Sequence, residues 1–246
     1  DAPATQATMM SLKSKDKQQV IGVSSNFALG RGVSVVEGRL FDSQNGRATL
    51  VGDLREIETL PGRHNHQNAA AAYAACRALG LDPSVIIDAM MTFPGLSHRQ
   101  EIVGKVGKVT FVNDSKATNG QAAVQALKSY PKVFWIGGGV AKSDGLTDVE
   151  PYFDHINKAY LIGEAQKDFA KALGDKVSHM KCGTLRRAVA EAYHDALASD
   201  EEAPIVLLSP ACASFDQFKS FEARGEDFRH LVTSLMDEDE RLHAQV

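Results

Sequence analysis

Four short apolar runs constrain the second half of the chain: Val109 to Asn113, Lys132 to Ile136, Ala159 to Ile162 and Ile205 to Ser209. They alternate with helical patterns near Gln121 to Ser129, Ala165 to Leu173, Leu185 to Ala198 and Gln217 to Leu235. Strands that are apolar throughout, rather than at every second residue, need cover on both faces. Alternating helices supply that cover, so the pattern predicts an α/β unit with a mostly parallel sheet. In such sheets ligands gather at the carboxyl ends of the strands.

Three of those strand ends carry unusual chemistry. The run Asp114-Ser115-Lys116-Ala117-Thr118-Asn119 joins an apolar strand to a small-residue helix. A helix start offers free N–H groups and the positive end of its dipole to an anion. Lys116 adds a mobile cation, and Asp114 an acceptor suited to a ribose hydroxyl or a metal. Capping by Thr118 or Asn119 is the simpler use of the segment, but capping needs one such residue, not the cluster. Ile136-Gly137-Gly138-Gly139-Val140-Ala141-Lys142-Ser143 is the second. Its glycines let backbone approach a ligand closely, although a tight turn with an exposed Lys142 is equally open. It is not a P-loop, because Ala141 stands where the second glycine belongs. It is not a dinucleotide fingerprint, because Lys142 replaces the third glycine. The third is Ser209-Pro210-Ala211-Cys212-Ala213-Ser214-Phe215-Asp216, where Ser214 is placed to cap the next helix. Cys212 is read as a small buried residue rather than a nucleophile.

The first part reads differently. Gln18 to Ser25, Val33 to Val36 and Ala48 to Gly52 look like strands, with a hairpin loop at Asp42 to Gly46. An Ala-rich helix runs from Asn65 to Leu79 and stops at Gly80, and Pro83 opens another to about Phe93. Asn65 and Asn68, three apart, share a helical face and can read an adenine edge. Capping by Asn65 is the plainer use, and leaves Asn68 unexplained. His64 and His66 fall short of a metal site. Phe93-Pro94-Gly95-Leu96 breaks the pattern and divides the chain into 1–94 and 95–246. His98 and Arg99 follow that break, where a phosphate clamp would reach between domains.

The chain has 246 residues, 43% of them hydrophobic, enough for one large or two medium domains. A formal charge of -4 gives no global attraction to nucleic acid or anionic membrane. The three scattered cysteines suggest no disulfide framework and point to a reducing compartment. No apolar run spans a membrane and no signal peptide is visible. Asp1 to Gln6 reads as a frayed or cut end, and Asp237 to Glu240 as a solvated tail.

Five motifs, in order, resemble the Mur ligase family and its D-glutamate-adding branch over about residues 18 to 236. They are Leu60-Pro61-Gly62-Arg63-His64-Asn65 with Asn68; Thr92-Phe93-Pro94-Gly95-Leu96-Ser97-His98-Arg99; Asn113 to Asn119; Gly138 to Lys142; and Ser209 to Phe218. Ser97 stands where relatives often carry Pro, and the Asp-Asn-Pro-Arg motif of the diamino-acid-adding branch is not seen.

The resemblance implies a Rossmann-like D-glutamate-binding domain over 95–246, preceded by the C-terminal part of the central ATPase domain over 1–94. It implies ATP-dependent ligation of D-glutamate to UDP-N-acetylmuramoyl-L-alanine through an acyl phosphate, with Mg²⁺, in cytoplasmic peptidoglycan precursor synthesis. Nucleic acid and membrane are not among the implied partners. Asn65 and Asn68 match adenine contacts, and Arg99 and Asp114 match positions near the ATP phosphates and ribose. Lys116, Thr118 and Lys142 match the residues that hold the D-glutamate α-carboxylate, and Ser214, Phe215 and Phe221 those around its side-chain carboxylate. His98 shapes the nucleotide site, and Lys116, Arg99 and His98 are the residues nearest the chemistry.

The family's UDP-sugar domain, P-loop and main metal ligands have no counterpart in this sequence. The expectation is therefore a piece of a longer ligase, inactive alone, weak in ATP binding and prone to dimerise through exposed central-domain surface. Hinge movement near Phe93 to Arg99 is expected on the same ground. A non-catalytic nucleotide-binding module is the alternative. A nicotinamide-dependent dehydrogenase shares the alternating sheet, but the missing third glycine after Gly139 argues against it.

Overall fold

A computed structural model describes residues 3–13 and 19–244. The chain divides into two compact units, Asp1–Pro94 and Gly95–Val246.

In the first unit, helix α1 spans Pro3–Lys13, so the segment expected to be frayed is helical from Pro3 onward. The strand expected over Gln18 to Ser25 begins outside the described residues, and its described part shortens to β1, Val23–Ser24. β1 pairs in parallel with β2 (Val33–Val36), and β3 (Arg39–Asp42) and β4 (Thr49–Asp53) extend the sheet antiparallel. β3 has only four residues, too short for its alternation to stand out. Gly46, with φ +81°, turns the β3–β4 hairpin at Asn45-Gly46 as its sequence predicts. Helix α2 spans Gly62–Ala78 and α3 spans Pro83–Met91, the latter capped by the Asp82 carboxylate on Ser84 N–H at 2.9 Å. Val33, Val35, Leu40, Tyr73 and Ile86 form the core. Tyr73 keeps its hydroxyl satisfied by donating to Asp42 at 3.1 Å.

The second unit holds a six-stranded sheet in the order β5-β6-β10-β7-β8-β9. The strands are β5 (Glu101–Val106), β6 (Val109–Asn113), β7 (Val133–Gly138), β8 (Ile156–Ile162), β9 (His179–Gly183) and β10 (Ile205–Leu208). All neighbours are parallel except β5, an antiparallel edge strand hairpinned to β6 through Gly107. Neither β5 nor β9 was evident in the sequence, since each mixes charged or polar residues into a short run at the sheet edge.

Strand side chains alternate between two cores. Val112, Trp135, Leu161 and Leu207 face one side, against α4 (Gly120–Ser129) and α5 (Gln166–Leu173). Phe111, Phe134, Ile136, Tyr160 and Leu208 face the other, against α6 (Leu185–Ala198) and α7 (Phe221–His243). Burial on both faces is why the strands are apolar at every position. Trp135, the only tryptophan, stacks on Phe169 at 6.2 Å and donates its indole N–H to the Ser209 carbonyl at 2.8 Å. Helix α7 starts later and runs further than its pattern suggests, so Asp237 to Glu240 belong to its last turns rather than to a tail.

Glycine requirements in this unit are graded by space. At Gly138 (φ +127°) an added Cβ would lie 2.1 Å from the Ile162 carbonyl oxygen, whereas at Gly107 (φ +55°) it would meet only a Leu197 methyl at 3.7 Å. Gly107→Ala should cost about 1–2 kcal/mol for its backbone angle alone, and Gly138→Ala more than about 3 kcal/mol. Urea denaturation followed by Trp135 fluorescence checks this, and equal midpoints for the two variants would refute it.

Candidate functional site

Register places three strand ends side by side. Asn113 of β6 pairs with Leu208 of β10, and Leu208 with Ile136 of β7. The segments that follow therefore leave the sheet together and are tied by backbone. Asp114 N–H donates to Leu208 at 2.7 Å, and Gly138 N–H to Pro210 at 2.9 Å. Val140 and Ala213 exchange a pair of bonds at 2.9 and 3.0 Å.

The glycine run makes this possible. A Cβ at Gly139 would sit 2.2 Å from the Ala213 carbonyl oxygen, and one at Gly163 2.1 Å from the Asp216 carboxylate. At Gly138 and Gly139 the close approach expected of a ligand is instead made by neighbouring backbone. Lys142, at the far end of the same loop, is exposed, as the turn reading expected.

The Asp114 to Asn119 segment divides between inside and outside. Asp114 is buried, accepting from Ser209 Oγ at 2.7 Å and from Gln100 N–H at 3.3 Å. Burial pushes its carboxyl up to about 7, against the opposing pull of those bonds and of Arg99. Ser115 is fully buried and donates its hydroxyl to the Phe221 carbonyl at 2.8 Å. Lys116 is half-buried, its Nζ 4.0 Å from the centre of the Phe221 ring. Thr118 is half-buried, and Asn119 caps α4 through Ala122 N–H at 2.9 Å.

The third segment departs from expectation. Ser214 does not cap α7; Ser220 does, accepting from Ala223 N–H at 3.2 Å. Residues 214–218 instead form a turn closed on the Ser214 carbonyl by Gln217 and Phe218 N–H groups, at 3.1 and 2.8 Å. The Ser214 hydroxyl is buried and has no protein partner among the described residues. Phe215 is 74% exposed, so it forms no part of the buried floor. Cys212 is fully buried with its thiol pushed up to about 12 by that burial, which leaves no thiolate near neutral pH. Phe221 is the first residue of α7, with its ring between Lys116 and the edge of His98 (centroids 6.2 Å apart).

His98 points inward. It is 5% exposed, adopts φ +63°, and its Nδ1 lies 3.1 Å from Asn113 Nδ2. It packs so closely on Gly225 that a Cβ there would lie 2.2 Å from Nδ1. Its carbonyl accepts from Lys116 N–H at 3.0 Å. Arg99 is exposed beside it. His98 therefore supports the floor of the site from within, while Arg99 faces solvent.

Asn65 and Asn68 lie in the first unit. Helix α2 starts at Gly62, three residues before its sequence suggests, so Asn65 is not the cap. Its Nδ2 donates to the Pro61 carbonyl at 2.8 Å, while Asn68 is exposed. His66 is held below its usual value by partial burial. Among the described residues no three His, Cys, Asp or Glu side chains gather to hold a metal, and no helix is long and apolar enough to cross a membrane.

Sequence reasoning missed Asn113, Ser209 and Arg224. Asn113 and Ser209 end apolar strands and open two of the motif runs, but the sequence assigns neither a role of its own. Arg224 had a signal: with Phe221, Gly225, Phe228, Leu231 and Val232 it follows a helical apolar stripe, where a charge is out of place.

No protein-family model matches the chain. It is 56% identical over 220 residues to the UDP-N-acetylmuramoylalanine–D-glutamate ligase of Caulobacter vibrioides, covering 89% of this chain and 46% of that protein. It is 50% identical over 237 residues to the ligase of the same name from Phenylobacterium zucineum, covering 96% and 50%. The chain thus spans about half the length of the curated relatives it matches. Its fold is similar to MurF from Acinetobacter baumannii (TM-score 0.58, 18% identity, 96% of this chain and 50% of that one). It is also similar to Mycobacterium tuberculosis folylpolyglutamate synthase (TM-score 0.57, 19% identity, 92% and 53%). The chain belongs to the Mur ligase family, in the branch whose curated members are named UDP-N-acetylmuramoylalanine–D-glutamate ligases.

Proposed function

We propose that this chain is the amino-acid-binding half of an ATP-dependent ligase that joins D-glutamate to UDP-N-acetylmuramoyl-L-alanine. The observation that carries the reading is Lys116 seated over the Phe221 ring, beside strand ends tied by backbone to the Lys142 loop, with the neighbouring Ser214 segment holding a buried hydroxyl that has no partner among the described residues. D-Glutamate presents two carboxylates and one amine, so it needs two separate anion sites. Lys116, Thr118 and Lys142 supply one, and the Ser214–Phe221 stretch supplies the other. The names of relatives at 50–56% identity support this choice of substrate.

The reaction would proceed by phosphorylation of the acceptor carboxylate by ATP. The D-glutamate nitrogen then forms a bond to the acyl carbon while the C–O bond to phosphate breaks and the amine proton departs. These steps demand positioning and charge neutralisation rather than a protein nucleophile, consistent with the buried thiol of Cys212. On this reading Arg99 and Asp114 of the second unit would act on the phosphates and ribose, and Asn65 and Asn68 of the first unit on the adenine. Mg²⁺, when bound with ATP, would neutralise the phosphate charge. The first unit is then part of the central ATPase domain and the second the D-glutamate domain, acting in the cytoplasm.

In the complete reading frame that contains this chain, Lys142→Ala should raise the KM for D-glutamate about tenfold or more, the scale of one lost charged hydrogen bond. Steady-state kinetics with D-glutamate varied checks this, and unchanged D-glutamate dependence would sink the assignment.

Asp114 also predicts a pH effect. Its carboxyl ionises near 3.8 in the unfolded chain and at about 7 in the folded one, so the folded state holds an extra proton between those values. Stability therefore falls as pH rises through that window and levels off above it. Asp114→Asn removes this slope, and should gain about 2–4 kcal/mol relative to the native chain between about pH 4 and pH 8. Urea melts at a series of pH values measure the difference, and parallel curves for the two proteins would exclude it.

A further inference from the structure

Arg224 is 1% exposed, yet among the described residues its hydrogen bonds go to neutral oxygens. Nε donates to Ser115 Oγ at 2.9 Å, and Nη2 to the carbonyls of Ser115 and Cys212 at 2.9 and 3.1 Å. Nη1 has no protein partner among the described residues. A buried cation without a paired carboxylate is expensive, because burial takes it out of water and nothing opposite returns the lost solvation. Its place adds to the cost, since the early turns of a helix are its positive end and favour acids. Burial pulls the guanidinium down to about 10, and Asp216 opposes that pull only as a through-space charge.

The contacts of this one side chain have a pattern. Ser115 precedes Lys116. Cys212 lies two residues before Ser214. A Cβ on Gly139, three residues before Lys142, would stand 3.3 Å from Nη1. The guanidinium thus bonds to the backbone of two loops that carry residues assigned above to D-glutamate, and lies under Gly139 of the third. Through Ser115 it also reaches Phe221, since the same hydroxyl that accepts from Nε donates to the Phe221 carbonyl.

Resting on that assignment of the site, we infer that Arg224 is its positioning residue: it ties the Ser115 and Cys212 loops together beside the Gly139 loop, and holds beneath them a positive charge that a bound dicarboxylate neutralises. A planar fork is needed to hold several loops at once, and lysine would restore the charge without the fork.

The test uses the complete reading frame, with R224M, R224K and the milder S115A, each checked for folding by its thermal transition. The KM for D-glutamate should rise about tenfold or more in R224M, less in R224K and least in S115A. The KM for ATP should move less than about twofold in all three. A residue that only stabilises the fold would lower the melting temperature and the active fraction without separating the two KM values. Should R224M fail to fold, R224K and S115A carry the same comparison. A native enzyme that uses D-glutamate, with folded variants whose D-glutamate KM is unchanged or tracks that of ATP, overturns the inference alone. A native enzyme that does not use D-glutamate overturns the functional reading and this inference with it.

Discussion

The strand-end surface of the second unit depends on backbones that nearly touch. Gly138 meets the Ile162 carbonyl and Gly139 the Ala213 carbonyl, at distances where no side-chain carbon fits. Because these contacts admit no Cβ, the loop after β7 is drawn onto the loops after β8 and β10. The Val140–Ala213 bond pair then fixes one against the other. If these loops carry the binding groups proposed for them, those groups are placed before a ligand arrives, which lowers the entropy lost on binding.

Below and above this platform the polar residues separate by burial. Asn113, Asp114, Ser115, His98, Ser209 and Arg224 are buried and largely bonded to one another or to backbone. Lys116 is half-buried, while Arg99 and Lys142 are exposed and keep water beside their charges. On the proposed reading, the buried set orients and the outer set meets the ligand. His98 shows the division most clearly. Its ring and carbonyl hold Asn113, Phe221 and Lys116 in place, while its neighbour Arg99 turns outward.

Much of this was legible in the sequence, for physical reasons. The central strands must be buried on both faces, so their apolar runs stood out, and the break at Pro94-Gly95 falls where the two units part. Asn119 as a cap and Gly46 as a turn residue follow from local chemistry alone. The edge strands β5 and β9 did not stand out, because an edge tolerates charge and needs no long apolar run. Nor did the role of His98 or Arg224. Whether a polar side chain turns into the core is decided by partners far along the chain, such as Arg224 with Ser115, and no local pattern encodes that partner. Only the misplaced charge in the α7 stripe hinted at it.

The shift of the helix cap from Ser214 to Ser220 has a further consequence. Had Ser214 capped α7, its hydroxyl would have been satisfied by the helix. Instead Ser220 takes that task, and the turn over 214–218 closes on the carbonyl of Ser214 rather than its side chain. The hydroxyl remains buried and has no partner among the described residues, two residues beyond the Cys212 carbonyl that accepts from Arg224. A buried donor without a partner costs about 1–3 kcal/mol. On the proposed reading, that cost is recovered when a carboxylate of the bound amino acid accepts from the hydroxyl. An apolar residue at position 214 would avoid that cost in the ligand-free protein, which is why the proposed function gives the hydroxyl a bound carboxylate as its partner.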